Sequence, residues 1–214
     1  MVMRRHWQWL AAAVASVALA GCGEAARVES PQDEAVASLT EAIKSRAADS
    51  LPSVGDFLPP LDGGKVEVAP PAGWNVLGRK PTYLTNFTKG KASELPRISI
   101  TVGDPPEAVG DVTEDNAAEF ASAMAKRLKS EKKTSIAEPP KPIILGNHIW
   151  SRHVRNPLNA GDPVAIQTLQ TIRGGRLYTV ELMVNVKSQQ DYAAGLQKER
   201  DQAYAVAANM KFGK

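Results

Sequence analysis

The 214-residue chain holds a single cysteine, and it stands at position 22, directly behind an apolar run. Whatever folds downstream therefore has no second thiol for a disulfide, a Cys-x-x-Cys redox pair or a thiolate zinc site. Its stability must come from a packed core. The run follows Arg4 and Arg5, extends from Leu10 to Leu19 and closes on Ala20 and Gly21, which is the charged, apolar and small-residue order of a secretory signal. Its length, about ten to twelve apolar residues, falls short of the roughly 20 that span a bilayer. Residues 1–21 are expected to be an export signal that is removed.

Leu19-Ala20-Gly21-Cys22 resembles the bacterial lipobox at every position. That resemblance implies a diacylglyceryl thioether on Cys22, cleavage before it, and a further acyl chain such as palmitate on the new amino group. Several tens of buried CH₂ groups at about 0.8 kcal/mol each give stable anchoring. The membrane is thus the first expected partner, through lipid on Cys22, and the cell envelope the expected location. Gly23 is compatible with onward transport to an outer membrane, and inner and outer membrane both stay open.

Removing 21 residues leaves 193, enough for one domain and a tail. The signal carries Arg4 and Arg5 and no acid, so 24 Lys and Arg then face 23 Asp and Glu. Such a balance argues against a nucleic-acid binder, which concentrates uncompensated cations.

Ser30-Pro31-Gln32-Asp33 reads as a helix start, with Val36, Leu39 and Ile43 at helical spacing, and predicts a short helix to about Ala48. From Asp49 to Gly64 the density of Pro and Gly predicts a linker, so residues 22–64 form a tether ahead of a domain over 65–214. Short alternating runs follow: Val66–Val68, Trp74–Leu77, Tyr83–Phe87 and Arg97–Val102. Thr113 and Asn116 open a helix to about Lys132 whose Ala117, Phe120, Ala121, Met124 and Leu128 share one face. Beyond Pro139, Pro140 and Pro142, strands are expected at 143–145, 149–155, 164–172 and 177–186. Gly174-Gly175 makes a tight hairpin between the last two. Tyr178, Val180, Leu182 and Val184 mark the buried face of the final strand. Ser188 with Asp191 caps a last helix through Met210 that closes near Phe212. The expected class is α+β, an antiparallel sheet of about six to seven strands flanked by helices.

Pro71-Ala72-Gly73-Trp74 turning into a strand, the central amphipathic helix, the late Gly-Gly hairpin ending in Leu177-Tyr178-Thr179-Val180, and the terminal Ala207-Ala208-Asn209-Met210-Lys211-Phe212 together resemble the Mog1/PsbP-like fold. The resemblance covers about residues 65–212 and implies an α/β/α sandwich. It also implies action by binding other macromolecules, with no shared catalytic set and no cofactor.

No HExxH, calcium loop, Gly-x-Ser-x-Gly or phosphate-loop motif occurs. His148 and His153 are separated by an odd number of residues, so one strand puts them on opposite faces and no shared metal is expected. Asp111, Glu114, Asp115 and Glu119 sit where a helix start favours carboxylates, and Lys126, Arg127, Lys129, Lys132 and Lys133 where its end favours cations. Trp150, flanked by His148, Arg152, His153 and Arg155, combines the residue types of a binding hot spot, although a strand tryptophan commonly belongs to the core. Together with Trp74 these are the candidate binding residues. The expected function is a non-enzymatic, lipid-anchored envelope module that binds a protein partner. The alternative is a carrier of a small or lipid-like ligand, which requires an apolar cavity of roughly 300 Å³ or more near Trp74, Tyr83 or Trp150.

Overall fold

The computed structural model describes residues 44–78, 80–106, 109–130, 134–157 and 163–213. The expected signal, Cys22 and most of the helix expected over 30–48 lie outside these residues. In chain order the elements are β1 (Lys44–Arg46), β2 (Val66–Glu67), β3 (Asn75–Leu77), β4 (Thr85–Thr88), β5 (Arg97–Gly103), α1 (Ala117–Lys129) and β6 (Thr134–Leu145). There follow β7 (His148–Pro157), β8 (Val164–Arg173), β9 (Arg176–Asn185), α2 (Tyr192–Gln197), α3 (Arg200–Asn209) and β10 (Lys211–Phe212). Eight strands form one sheet in the order β1-β6-β7-β8-β9-β5-β4-β3, and β10 pairs with β2. The class is α+β as expected, with a strand count slightly above expectation.

Period-2 alternation divides the sheet into two buried faces. On one, Trp150, Val154, Leu169, Tyr178, Val180 and Leu182 pack with Ala203, Val206 and Ala207 of α3. On the other, Ile149, Ile172 and Leu177 pack with Phe120 and Met124 of α1. The α1 face is the one its spacing predicts: Ala117, Phe120, Ala121, Met124 and Leu128 are buried. Asn116 precedes it, with its Oδ1 accepting from Thr113 N–H at 2.8 Å and its Nδ2 donating to the Asp111 carbonyl. Gly174 and Gly175 take φ of +57° and +69°, as a primed hairpin turn requires, and both of their N–H groups donate to the Asp111 carboxylate.

Four features differ from the sequence-based expectation. Residues 44–46 are strand, not the end of a helix: β1 runs parallel to β6, pairing Lys44–Arg46 with Ile143–Leu145. It occupies the outer edge of β6, a position where unpaired backbone groups need a partner. Residues 49–64 are irregular, as their composition requires, yet they are packed. Leu51 and Leu61 enter the core, Leu58 N–H donates to the Val68 carbonyl, and the Asp62 carboxylate meets Tyr178 and Arg176, each at 2.9 Å.

Pro139, Pro140 and Pro142 lie inside β6 rather than ahead of it. Pro139 and Pro140 fall where the β6–β7 register shifts between Glu138 and Lys141 and ladder bonds are already interrupted, whereas Pro142 stands in register opposite Ser151, just ahead of the β1 pairing that starts at Ile143. The expected single C-terminal helix is broken between α2 and α3 at Lys198 and Glu199, and the chain after Asn209 returns as β10 on β2. The break turns the alanine-rich α3 onto the sheet, which one continuous helix from Ser188 would not do.

The seat of α3 is tested by a pair of glycines. Gly146, in the β6–β7 turn, has φ +57°, and a Cβ there would stand 2.8 Å from the Ala208 carbonyl oxygen of α3. Gly174 shares that φ, but a Cβ there meets nothing within 4 Å. Gly174→Ala is expected to lose about 1 kcal/mol of unfolding free energy from the backbone alone, and Gly146→Ala about 2 to 3 kcal/mol in urea titrations.

Candidate functional site

Strand β7 carries most of the candidate residues, and its alternation separates them. His148, Trp150, Arg152 and Val154 face the α3 side; Ile149, Ser151, His153 and Arg155 face the α1 side. Trp150 has no exposed surface and packs against Phe212 at 6.4 Å between ring centroids, which makes it core. Trp74 is buried in the same cluster. His148 donates through Nε2 to the Met210 carbonyl at 2.8 Å and meets the Phe212 ring edge-on at 5.1 Å, fastening the chain end to β7. Its burial lowers its pKa, outweighing the opposite pull of the Met210 carbonyl.

On the α1 side, a polar row crosses three strands in register: His153, Thr168 and Glu181. Arg155 pairs with Glu181 at 2.7 Å, and the Thr168 hydroxyl donates to the same carboxylate oxygen at 3.2 Å. Next to this row is a small polar cleft of about 100 Å³ closed by Met124, Arg127 and Leu128. His153 is 1% exposed, and its Nδ1 has no hydrogen-bond partner. Burial first, then the charges of Arg155 and Arg152, hold its pKa down at about 4, so the ring is neutral at neutral pH.

On the α3 side, Arg152 forms the floor of a larger cleft of about 440 Å³. Its two terminal nitrogens hold the Glu138 carboxylate, and its Nε donates to Gln167 Oε1 at 3.2 Å. Lys44 and Arg46 of β1, Lys141 of β6, and Arg200 and Tyr204 of α3 complete the walls. Arg46 and Arg200 share one carboxylate, that of Asp201, each at 3.3 Å. Arg200 also lies 5.8 Å from the centre of the Tyr204 ring.

The sequence cluster around Trp150 is therefore two sites back to back, with Trp150 itself in neither. Sequence reading missed Lys44, Arg46, Glu138, Lys141, Arg200 and Tyr204, which are spread over 161 positions and carry no local pattern. Among the described residues, no group of three or more His, Cys, Asp or Glu could hold a metal ion. Of the acids expected at the start of α1, Asp111 serves the β8–β9 turn.

No family model matches this chain. No curated protein matches it either. It is similar to solved structures at low identity. One, from Bacteroides thetaiotaomicron, is 14% identical with a TM-score of 0.45 over 76% of this chain, which spans 50% of that one. The cyanobacterial PsbP (CyanoP) of Synechocystis sp. PCC 6803 is 12% identical with a TM-score of 0.42, covering 75% of this chain and 95% of its own. LpqN of Mycobacterium tuberculosis, described as involved in cell envelope biogenesis, is 12% identical with a TM-score of 0.42, covering 70% and 83%.

His153 makes stability depend on pH with a definite sign. Its folded pKa, about 4, lies below the ordinary 6.5, so its contribution is whole above pH 6.5 and is lost as pH falls toward 4. That loss amounts to about 3 kcal/mol. Urea unfolding followed from about pH 7 to about pH 4 is expected to show this decline in the wild type and a flatter one in His153→Gln. Trp150→Ala is expected to lower stability by about 3 to 5 kcal/mol, a core residue's cost.

Proposed function

We propose that this chain is a lipid-anchored, non-enzymatic domain of the bacterial cell envelope, of Mog1/PsbP-like architecture, that acts by binding a protein partner. The observation that carries the anchor is Cys22, the single thiol of the chain, placed directly behind Leu19-Ala20-Gly21 at the end of a short apolar run. Twenty-one residues separate it from β1. Fully extended at about 3.3 to 3.6 Å per residue, they let the domain stand off the bilayer by at most about 75 Å. Such a reach suits a module that meets partners in the space beside the membrane.

Support for protein binding comes from the sheet edge. Among the described residues, strand β3 ends the sheet order, pairs only with β4, and leaves Val76 46% exposed. An edge strand with free backbone groups and an apolar side chain is the surface that strand addition uses. The alternative, a carrier of an apolar ligand, is disfavoured by the packing. Trp150 and Trp74 are buried, the cleft beside Tyr83 is open and measures about 240 Å³, and the 440 Å³ cleft near Trp150 is lined chiefly by charged side chains, Lys44, Arg46, Lys141, Arg152 and Arg200 among them.

Two experiments test the reading. Metabolic labelling with a clickable fatty acid is expected to mark the wild type and leave Cys22→Ser unlabelled; an unlabelled wild type refutes the anchor. Crosslinking in cells, followed by pull-down from detergent-solubilised membranes, is expected to recover an envelope protein, and Val76→Lys to reduce its yield several-fold. Recovery of this chain alone, again and again, refutes the partner.

A further inference from the structure

The cleft between β1, β6, β7 and α3 collects charge of one sign. Lys44, Arg46, Lys141, Arg152 and Arg200 bring five cations to it, and the described carboxylates paired with them are those of Glu138 and Asp201. Three positive charges are left uncompensated. Lys44 and Lys141 are exposed and form no ion pair among the described residues. The guanidinium of Arg152 has five N–H donors, of which three are engaged by Glu138 and Gln167. The remainder are free to serve the Tyr204 oxygen and a guest.

From this geometry we infer that the cleft is a binding site for a phosphate-bearing anion. Planar guanidinium forks match phosphate oxygens, and lysines add point charge at the rim. An excess of three charges suits a phosphate, with a charge of one to two, better than a single carboxylate. At about 440 Å³ the cleft falls in the size range of small-ligand sites. Its position bears on the source of the phosphate. The cleft is lined by Lys44 and Arg46 of β1, the described strand nearest in sequence to Cys22. If the anchor proposed above holds, anionic phospholipid headgroups are the phosphates within reach. The cationic end of α1, with Lys126 and Lys129, lies on the helix that covers the opposite face of the sheet and supplies an internal control.

The test uses the full chain carrying Cys22→Ser, so that acylation, read separately by labelling, plays no part in the outcome. Glycerol 3-phosphate is titrated into it by calorimetry, and its partition onto phosphatidylglycerol and phosphatidylcholine vesicles is compared. Lys44→Gln/Lys141→Gln removes the two unpaired cations and leaves every ion pair named above intact. It is expected to weaken glycerol 3-phosphate binding about tenfold, whereas Lys126→Gln/Lys129→Gln leaves it unchanged. Loss of the phosphatidylglycerol preference in the first variant assigns a lipid headgroup; an unchanged vesicle preference with weakened glycerol 3-phosphate binding assigns a free phosphate ester. No saturable binding up to about 10 mM, or equal losses in the two double variants, overturns the site.

Discussion

Strand β9 runs through the middle of the sheet with both of its faces buried: Tyr178, Val180, Leu182 and Val184 toward α3, Leu177 toward α1. A slip of one residue would exchange these sets and place Tyr178, whose hydroxyl holds Asp62, on the wrong side. The register is set at the Gly174-Gly175 turn, where the Asp111 carboxylate receives both turn N–H groups. That carboxylate belongs to the loop leading into α1, so one contact fixes the hairpin register and also the entry of the helix that covers the far face. The pleat of β7 separates Arg152 from His153, and the same register, carried across β8, decides which of them faces α3 and which faces α1. The two clefts exist because β9 sits where it does.

How much of this could be read from the sequence depended on whether the determining contacts were local. The α1 face, the Gly-Gly turn and the alternation of β9 are written within windows of a few residues, and they match. The parallel pairing of Lys44–Arg46 with Ile143–Leu145 joins segments about 99 residues apart, and its short run of three residues carries no alternation. Helical spacing at Val36, Leu39 and Ile43, which lie outside the described residues, could not reveal that Lys44–Arg46 form a strand. Likewise Leu51 and Leu61 look like isolated apolar residues in a Pro and Gly background, and only the Asp62 contacts to Tyr178 and Arg176 explain why that segment lies down on the sheet. The break at Lys198 and Glu199 has no helix breaker to announce it. A Cβ at Gly195 would stand 2.6 Å from a Val186 methyl, so α2 is pressed too closely on the end of β9 for a continuous helix to serve both it and α3.

The cleft residues were invisible for the same reason. Trp150, His148, Arg152, His153 and Arg155 form an attractive cluster only while the strand is read as a line. Once pleated, the aromatic member becomes core, one histidine becomes a clasp for Met210, and the other becomes a neutral ring in a polar layer. Arg155 stays partly open in the small polar cleft on the α1 side, and Arg152 in the larger one, where what it meets comes from β1, β6 and α3.

That convergence has an energetic consequence. Like charges drawn from four elements repel, and two carboxylates offset them only in part. Among the described residues the element with least to resist this repulsion is β1, which there spans three residues and pairs with β6, yet it carries Lys44 and Arg46 into the cleft. It is held by three registered residues of β6, by the Gly146 N–H donating to the Arg46 carbonyl at 2.9 Å, by Ala48 and Leu51 packed just behind it, and by the Arg46–Asp201 pair, which is one-third exposed and correspondingly weak. An anion that meets Lys44 and Arg46 together with Lys141, Arg152 and Arg200 would favour the docked β1 by its difference in affinity for the cleft with and without that strand. β1 is therefore the strand that an anion would lock, and occupancy of the cleft is coupled to how firmly the first strand of the described residues is held on β6.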